Sequence, residues 1–201
     1  MNIFKDYSIN EINPIIGIER YKSGASGFLR MIDAGLSSQD SSLPFQPFVL
    51  LEDDCSIYRE FPKSIEIPDD ADLLYIGISR CGTYKKTSWQ NKVYMKEINS
   101  DIVRIFNMLS THGIMICSSK GASVITTSMN DAYKFNQPWD LRLTSMQPYY
   151  NIYALRAPLV YQDSKYKGAE PETRIEFKTV LNEDLPKEYY MNETEEKYYL
   201  S

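Results

Sequence analysis

The chain has 201 residues, 43% of them hydrophobic and 24% charged. That is the make-up of one folded domain, large enough to bury a core without disulfides or a structural metal. A formal net charge of -5 excludes an extended nucleic-acid-binding surface, which has to neutralise a row of phosphates, but leaves room for a small basic pocket.

Cys55, Cys81 and Cys117 are odd in number and lack CxxC spacing, so neither a disulfide framework nor a zinc site is expected and a reducing compartment is the simpler setting. Met1–Ile9 carries charges and no apolar run, and no later stretch approaches the roughly 18 apolar residues of a membrane span. The expectation is a cytoplasmic protein with no membrane span.

In chain order, Ile12–Ile18 reads as a short strand containing Pro14. The small and hydroxyl residues of Lys22–Gly27 then open a helix in which Phe28, Leu29, Ile32 and Leu36 recur at helical spacing. After a polar loop, Phe48-Val49-Leu50-Leu51 is an apolar run of the kind that forms a buried strand of a parallel sheet. Leu73–Gly77 is another, beyond a segment broken by Pro68. Lys92–Ile98 and Asp101–Phe106 have weak strand character, and the second suits a helix equally well. His112–Cys117 is a clearer strand, leading through Ser118-Ser119-Lys120-Gly121-Ala122 into a helix to about Tyr133 with Val124, Ile125 and Met129 inward. Asn151–Val160 carries the last strand signal, and Glu183–Ser201 is a charged, tyrosine-rich arm. Alternating strands and helices predict an α/β sandwich with a mostly parallel sheet, in which ligands sit at the carboxyl ends of strands.

Glu52-Asp53-Asp54 falls at such an end. Three adjacent carboxylates repel one another, and a cation or a substrate offsets the repulsion. Oxygen ligands alone suit a hard ion, Mg²⁺ or Mn²⁺, that keeps open positions for the phosphates of a nucleotide. A solvated turn at a strand end would carry the same residues.

The order of segments around the triplet resembles the GT-A glycosyltransferases, particularly the lipopolysaccharide-type family with a Leu-Glu-Asp-Asp motif. Ser23-Gly24-Ala25-Ser26-Gly27-Phe28-Leu29 is similar to that family's helix start, and Phe48 to Asp54 to its metal strand. Asp72 to Gly77 is similar to its next strand, and Thr111 to Ala122 to the segment ending Ser-x-x-Gly-Ala. Gln137-Pro138-Trp139-Asp140 is similar to Pro-x-Asp, and Tyr153 to Gln162 to the closing Pro-Leu-Val-x-Gln strand. The resemblance spans roughly Ile12 to Ser164. It departs from the family at Gly27, where His is usual, and in the lack of an obvious leading strand for the nucleotide base. Small virus-encoded sugar transferases acting on capsid glycans share this compact form, which would place the protein in the host cytoplasm.

The resemblance implies a single GT-A-type domain over residues 1–201, with a core of about 12–168 and a mixed, mostly parallel sheet flanked by helices. It implies transfer of a hexose from a uridine-diphosphate sugar to a hydroxyl of a glycan or glycoprotein, with inversion and with Mn²⁺ or Mg²⁺. By the same resemblance Asp54 is the direct metal ligand, and Glu52 or Asp53 holds the ribose or a metal-bound water. Asp163 and His112 are candidates to complete the shell; a lone histidine is also a common structural hydrogen-bonding group. Asp140 is the candidate base for the acceptor hydroxyl, because a carboxylate beside the Trp139 indole can have its pKa raised; it would serve equally as a helix N-cap. Gln162, Lys165 and Lys167 follow the last strand, where a mobile loop would close over the diphosphate; each lysine also reads as a surface charge. Arg20, Lys22 and Arg80 lie after other strand ends, and Trp89 and Trp139 offer faces on which sugars stack. Two other classes stay open: a sugar- or nucleotide-binding module of the same fold without turnover, and a metal-dependent phosphoryl hydrolase. The hydrolase would need a second His/Asp cluster that one histidine does not supply.

Overall fold

The computed structural model describes residues 11–13, 17–79, 81–84, 88–90 and 93–162. The first long element is helix α1 (Arg20–Ser37). It starts before the small-residue run rather than after it, so Gly24, Ala25 and Ser26 lie inside the helix. The small side chains serve close packing: a Cβ at Gly24 would overlap the Trp139 ring, and one at Gly35 the Phe48 ring. Phe28 and Ile32 are buried as the spacing requires, whereas Leu36 at the helix end is exposed. The strand expected at Ile12–Ile18 is not formed among its described residues. Gly17 (φ 90°) and Ile18 make a turn and a bend there, and Ile18 is exposed.

Strands β1 (Phe48–Leu51), β2 (Cys55–Ile57) and β3 (Leu73–Tyr75) follow, then a hairpin of β4 (Gly82–Tyr84) and β5 (Ser88–Gln90), then β6 (Met95–Glu97), β7 (Ile102–Ile105) and β8 (Gly113–Ile116). Helices α2 (Ser119–Phe135) and α3 (Trp139–Met146) come next, with a 3₁₀ turn at Gln147–Tyr149, and the described chain closes with β9 (Ile152–Leu155) and β10 (Val160–Gln162). The ambiguous Asp101–Phe106 segment is a strand because Asn99 makes the turn before it. The Asn99 side-chain oxygen accepts the N–H groups of Asp101 (2.9 Å) and Ile102 (2.8 Å), which pairs β7 back onto β6.

Six strands form one sheet in the order β1-β8-β3-β9-β7-β6. Only β3 and β9 pair in parallel; β1 with β8, β3 with β8, β7 with β9 and β6 with β7 are antiparallel. The expectation of a mostly parallel sheet is therefore corrected: the sheet is mixed and mostly antiparallel. Continuous apolar runs such as Leu73-Leu74-Tyr75-Ile76 signal burial on both faces, and both faces are covered here in a sheet whose pairings, β3 with β9 excepted, are antiparallel.

One face, carrying Leu50, Leu73, Tyr75, Val103, Ile105, Ile114, Ile116, Ile152 and Ala154, packs under all three described helices. The opposite face, with Leu74, Ile76, Ile102, Tyr153 and Leu155, is covered by Ala71, Leu159 and the partly buried Phe61, Ile65 and Ile67. The described helices thus lie on one side of the sheet rather than flanking it. Because β1, β3 and β9 run the same way, the triplet after Leu51, Gly77 after β3 and the start of β8 meet at one end of the sheet, where Leu51 pairs with Gly113 and the Gly77 N–H donates to the Gly113 carbonyl.

Candidate functional site

The triplet forms a tight turn between β1 and β2, and the main chain of His112 holds it. Its carbonyl accepts the Glu52 N–H (3.3 Å) and the Cys55 thiol, while the Cys55 N–H closes the turn on the Glu52 carbonyl (3.2 Å). The three carboxylates point to three environments. Glu52 is half-buried, and its Oε1 accepts the Thr111 hydroxyl at 2.6 Å and the Trp139 indole N–H at 3.4 Å; that N–H also lies 3.0 Å from Thr111 Oγ1. Asp53 is exposed. Asp54 is 5% exposed, and its Oδ2 accepts the Gln162 side-chain amide at 2.9 Å. Splaying the side chains in this way separates like charges that adjacent positions would otherwise crowd. Burial, reinforced by the Glu52 charge, pushes the Cys55 thiol well above the ordinary thiol range, so it stays protonated.

Gln162 reaches Asp54 because β10 pairs with β2, placing Gln162 opposite Cys55. The residue expected to meet the donor thus braces the buried carboxylate. His112 is buried; its Nδ1 lies 3.1 Å from Ser110 Oγ, and its ring covers Gly77, where a Cβ would strike the imidazole. Its main-chain carbonyl and its packing over Gly77 give it a structural part at this end of the sheet.

Asp140 lies in the first turn of α3, one residue past Trp139. Pro138 is the residue before the helix, and Asp140 accepts the N–H of Leu141 at 2.8 Å, a local contact that orients the carboxylate at the positive end of the helix. The Trp139 indole next to it reaches Glu52, so Asp140 lies near the same end of the sheet as the triplet; burial raises the pKa of the Tyr75 hydroxyl at the carboxyl end of β3, and the Asp140 charge adds to it. Trp139 packs on Tyr21 and Phe28 of α1, each at 6.1 Å between ring centroids. The Trp139 indole joins α1, α3 and Glu52.

Asp163, Lys165, Lys167 and Arg80 lie outside the described residues, as does the side chain of Trp89. Lys22 is paired with Glu19 at 2.6 Å on the first turn of α1. Among the described residues no group of three or more His, Cys, Asp or Glu side chains is gathered to hold a metal ion. Exposed Asp53 beside braced Asp54 does not make a closed metal site built from protein ligands alone. Sequence reasoning missed Thr111 as the partner of Glu52, although the hydroxyl sits at the mouth of β8 directly before His112. Among the described residues no helix is long and apolar enough to cross a membrane. In comparisons with known proteins, no family model, no curated protein and no solved structure matches the chain.

Proposed function

We propose that the protein is a metal-dependent glycosyltransferase of GT-A type that moves a hexose from a uridine-diphosphate donor to a glycan hydroxyl. The observation that carries the reading is the splayed triplet at the carboxyl end of β1. One carboxylate is exposed, one is buried and braced, and one is tied to the helix that bears Asp140. Asp53 and Asp54 would hold Mn²⁺ or Mg²⁺, which when bound supplies positive charge for the diphosphate leaving group. Glu52, oriented by Thr111 and Trp139, is the group to meet the ribose. Asp140, fixed by the Leu141 N–H, takes the proton of the acceptor hydroxyl, and one such base suffices for a single displacement with inversion.

The test is sugar transfer by Asp140→Asn from a set of uridine-diphosphate hexoses to a mixture of oligosaccharides. Donor binding should persist while transfer falls by about a hundredfold or more, the usual worth of general-base catalysis. Transfer at the unaltered rate would remove the role from Asp140.

A further inference from the structure

Where the three described helices meet, the surface is aromatic and basic although the chain as a whole is acidic. Helix α2 ends in Tyr133-Lys134-Phe135, with Phe135 51% and Tyr133 42% exposed. The left-handed Asn136 (φ 48°) then turns the chain away and leaves these rings at the rim. Two cations lie by the Phe135 ring: Lys134 Nζ at 5.1 Å from its centroid and the Arg142 guanidinium of α3 at 5.3 Å. Neither forms an ion pair among the described residues. On α1, the Arg20 guanidinium sits 6.0 Å from the Tyr21 ring, and Tyr21 packs edge-on against Trp139. Among the described residues Glu19 pairs with Lys22. Arg142 and Trp139 share helix α3, whose Trp139 indole N–H reaches Glu52 and which also carries Asp140.

Flat rings bind the C–H faces of sugars, and a planar guanidinium pairs with carboxylate or sulfate in two parallel hydrogen bonds. Exposed aromatic rings, and cations that form no ion pair among the described residues, on a chain of net charge -5 are complementary to a ligand that is both saccharide and anion. We propose that this edge of α1, α2 and α3 docks the acceptor, and that the acceptor is an anionic glycan. The proposal rests on the glycosyltransferase reading for the word acceptor, but the binding it describes needs neither nucleotide nor metal.

The experiment is calorimetric titration of the full chain with an oligogalacturonate, a neutral malto-oligosaccharide of the same length and vesicles of mixed phosphatidylcholine and phosphatidylserine, without nucleotide and with chelator present. Binding to the oligogalacturonate is expected, with the neutral sugar at least about tenfold weaker. Phe135→Ala and Lys134→Glu, both at exposed positions, should each weaken the charged ligand by about tenfold, the loss of one ring or one cation contact. The circular dichroism melting curve of each variant establishes that it folds, and Lys96→Glu on exposed β6 serves as the charge control and should bind normally. Equal binding of the neutral sugar, no binding of the charged one, binding of vesicles only, or equal weakening by Lys96→Glu would overturn the proposal. Because chelator is present, such a failure leaves metal-dependent donor binding to be judged separately, and failure of donor binding leaves this titration unaffected.

Discussion

Thr111 shows how much of the site depends on a neutral hydroxyl. It donates to Glu52 at 2.6 Å while the Trp139 indole N–H points at it from 3.0 Å, so one side chain orients both a carboxylate and a ring. Thr111 is buried, and Thr111→Val keeps its shape while removing the bond. The variant should lose about 1–2 kcal/mol of stability, the cost of leaving buried polar atoms without that partner, measured by urea unfolding. An unchanged midpoint would mean that Glu52 is held by other contacts. The triplet itself was legible because three acids after an apolar run are conspicuous in any chain. The separate fates of the three acids were not, since their partners Thr111, Trp139 and Gln162 lie 59, 87 and 108 residues away. No local pattern encodes such pairings.

The elements were legible where burial alone defines them. Residues Phe48–Leu51, Leu73–Tyr75 and the inward face of α2 appear where apolar spacing puts them. Strand direction was not legible, because two-sided burial produces the same apolar run in β3 whether its neighbour is parallel β9 or antiparallel β8. The short β2 and β4 were missed for a related reason: Cys55-Ser56-Ile57 and Gly82-Thr83-Tyr84 are too brief and mixed to show a period. The start of α2 is held more tightly than its sequence suggests. Ser118 Oγ accepts the Gly121 N–H and donates to buried Asp72, both at 3.0 Å, and Asp72 also takes the Asn151 N–H at 3.0 Å. A Cβ on Gly121 would strike the Asp72 carbonyl oxygen, which is backbone and cannot turn aside. Gly121→Ala should therefore cost about 2–3 kcal/mol, a helix-propensity gain notwithstanding, as overpacking does. A thermal melt equal to the parent's would show that the helix start can shift.

At the scale of the whole molecule, one sheet separates a helix-covered core from a loop-covered one, and both contain weak acids that burial keeps neutral. Cys117 is pushed up to about 12 from 9.0, and Tyr75 and Cys55 are also raised well above their ordinary values, in each case chiefly by loss of water. Their folded pKa values exceed the unfolded ones, so the stabilisation is complete below about pH 9 and is lost as pH climbs toward about 12, where the unfolded chain ionises first. Cys117 alone would account for a decline on the order of 4 kcal/mol across that window. Urea midpoints taken from about pH 8 to about pH 11 should fall steadily; a flat profile would mean that these groups reach water in the native state. The α/β class was legible from the alternation of periodic segments, whereas the mostly antiparallel pairing of the sheet was not. That the described helices all take one face was not, because an apolar helical stripe does not say which side of a sheet it meets. Asp54 is the residue on which the proposed metal site depends, and calorimetric titration with uridine diphosphate, with and without Mn²⁺, tests it. Binding should require the ion in the parent chain and weaken by at least about tenfold in Asp54→Ala, the loss of one direct carboxylate ligand; metal-independent binding, or equal affinity in the variant, would contradict it.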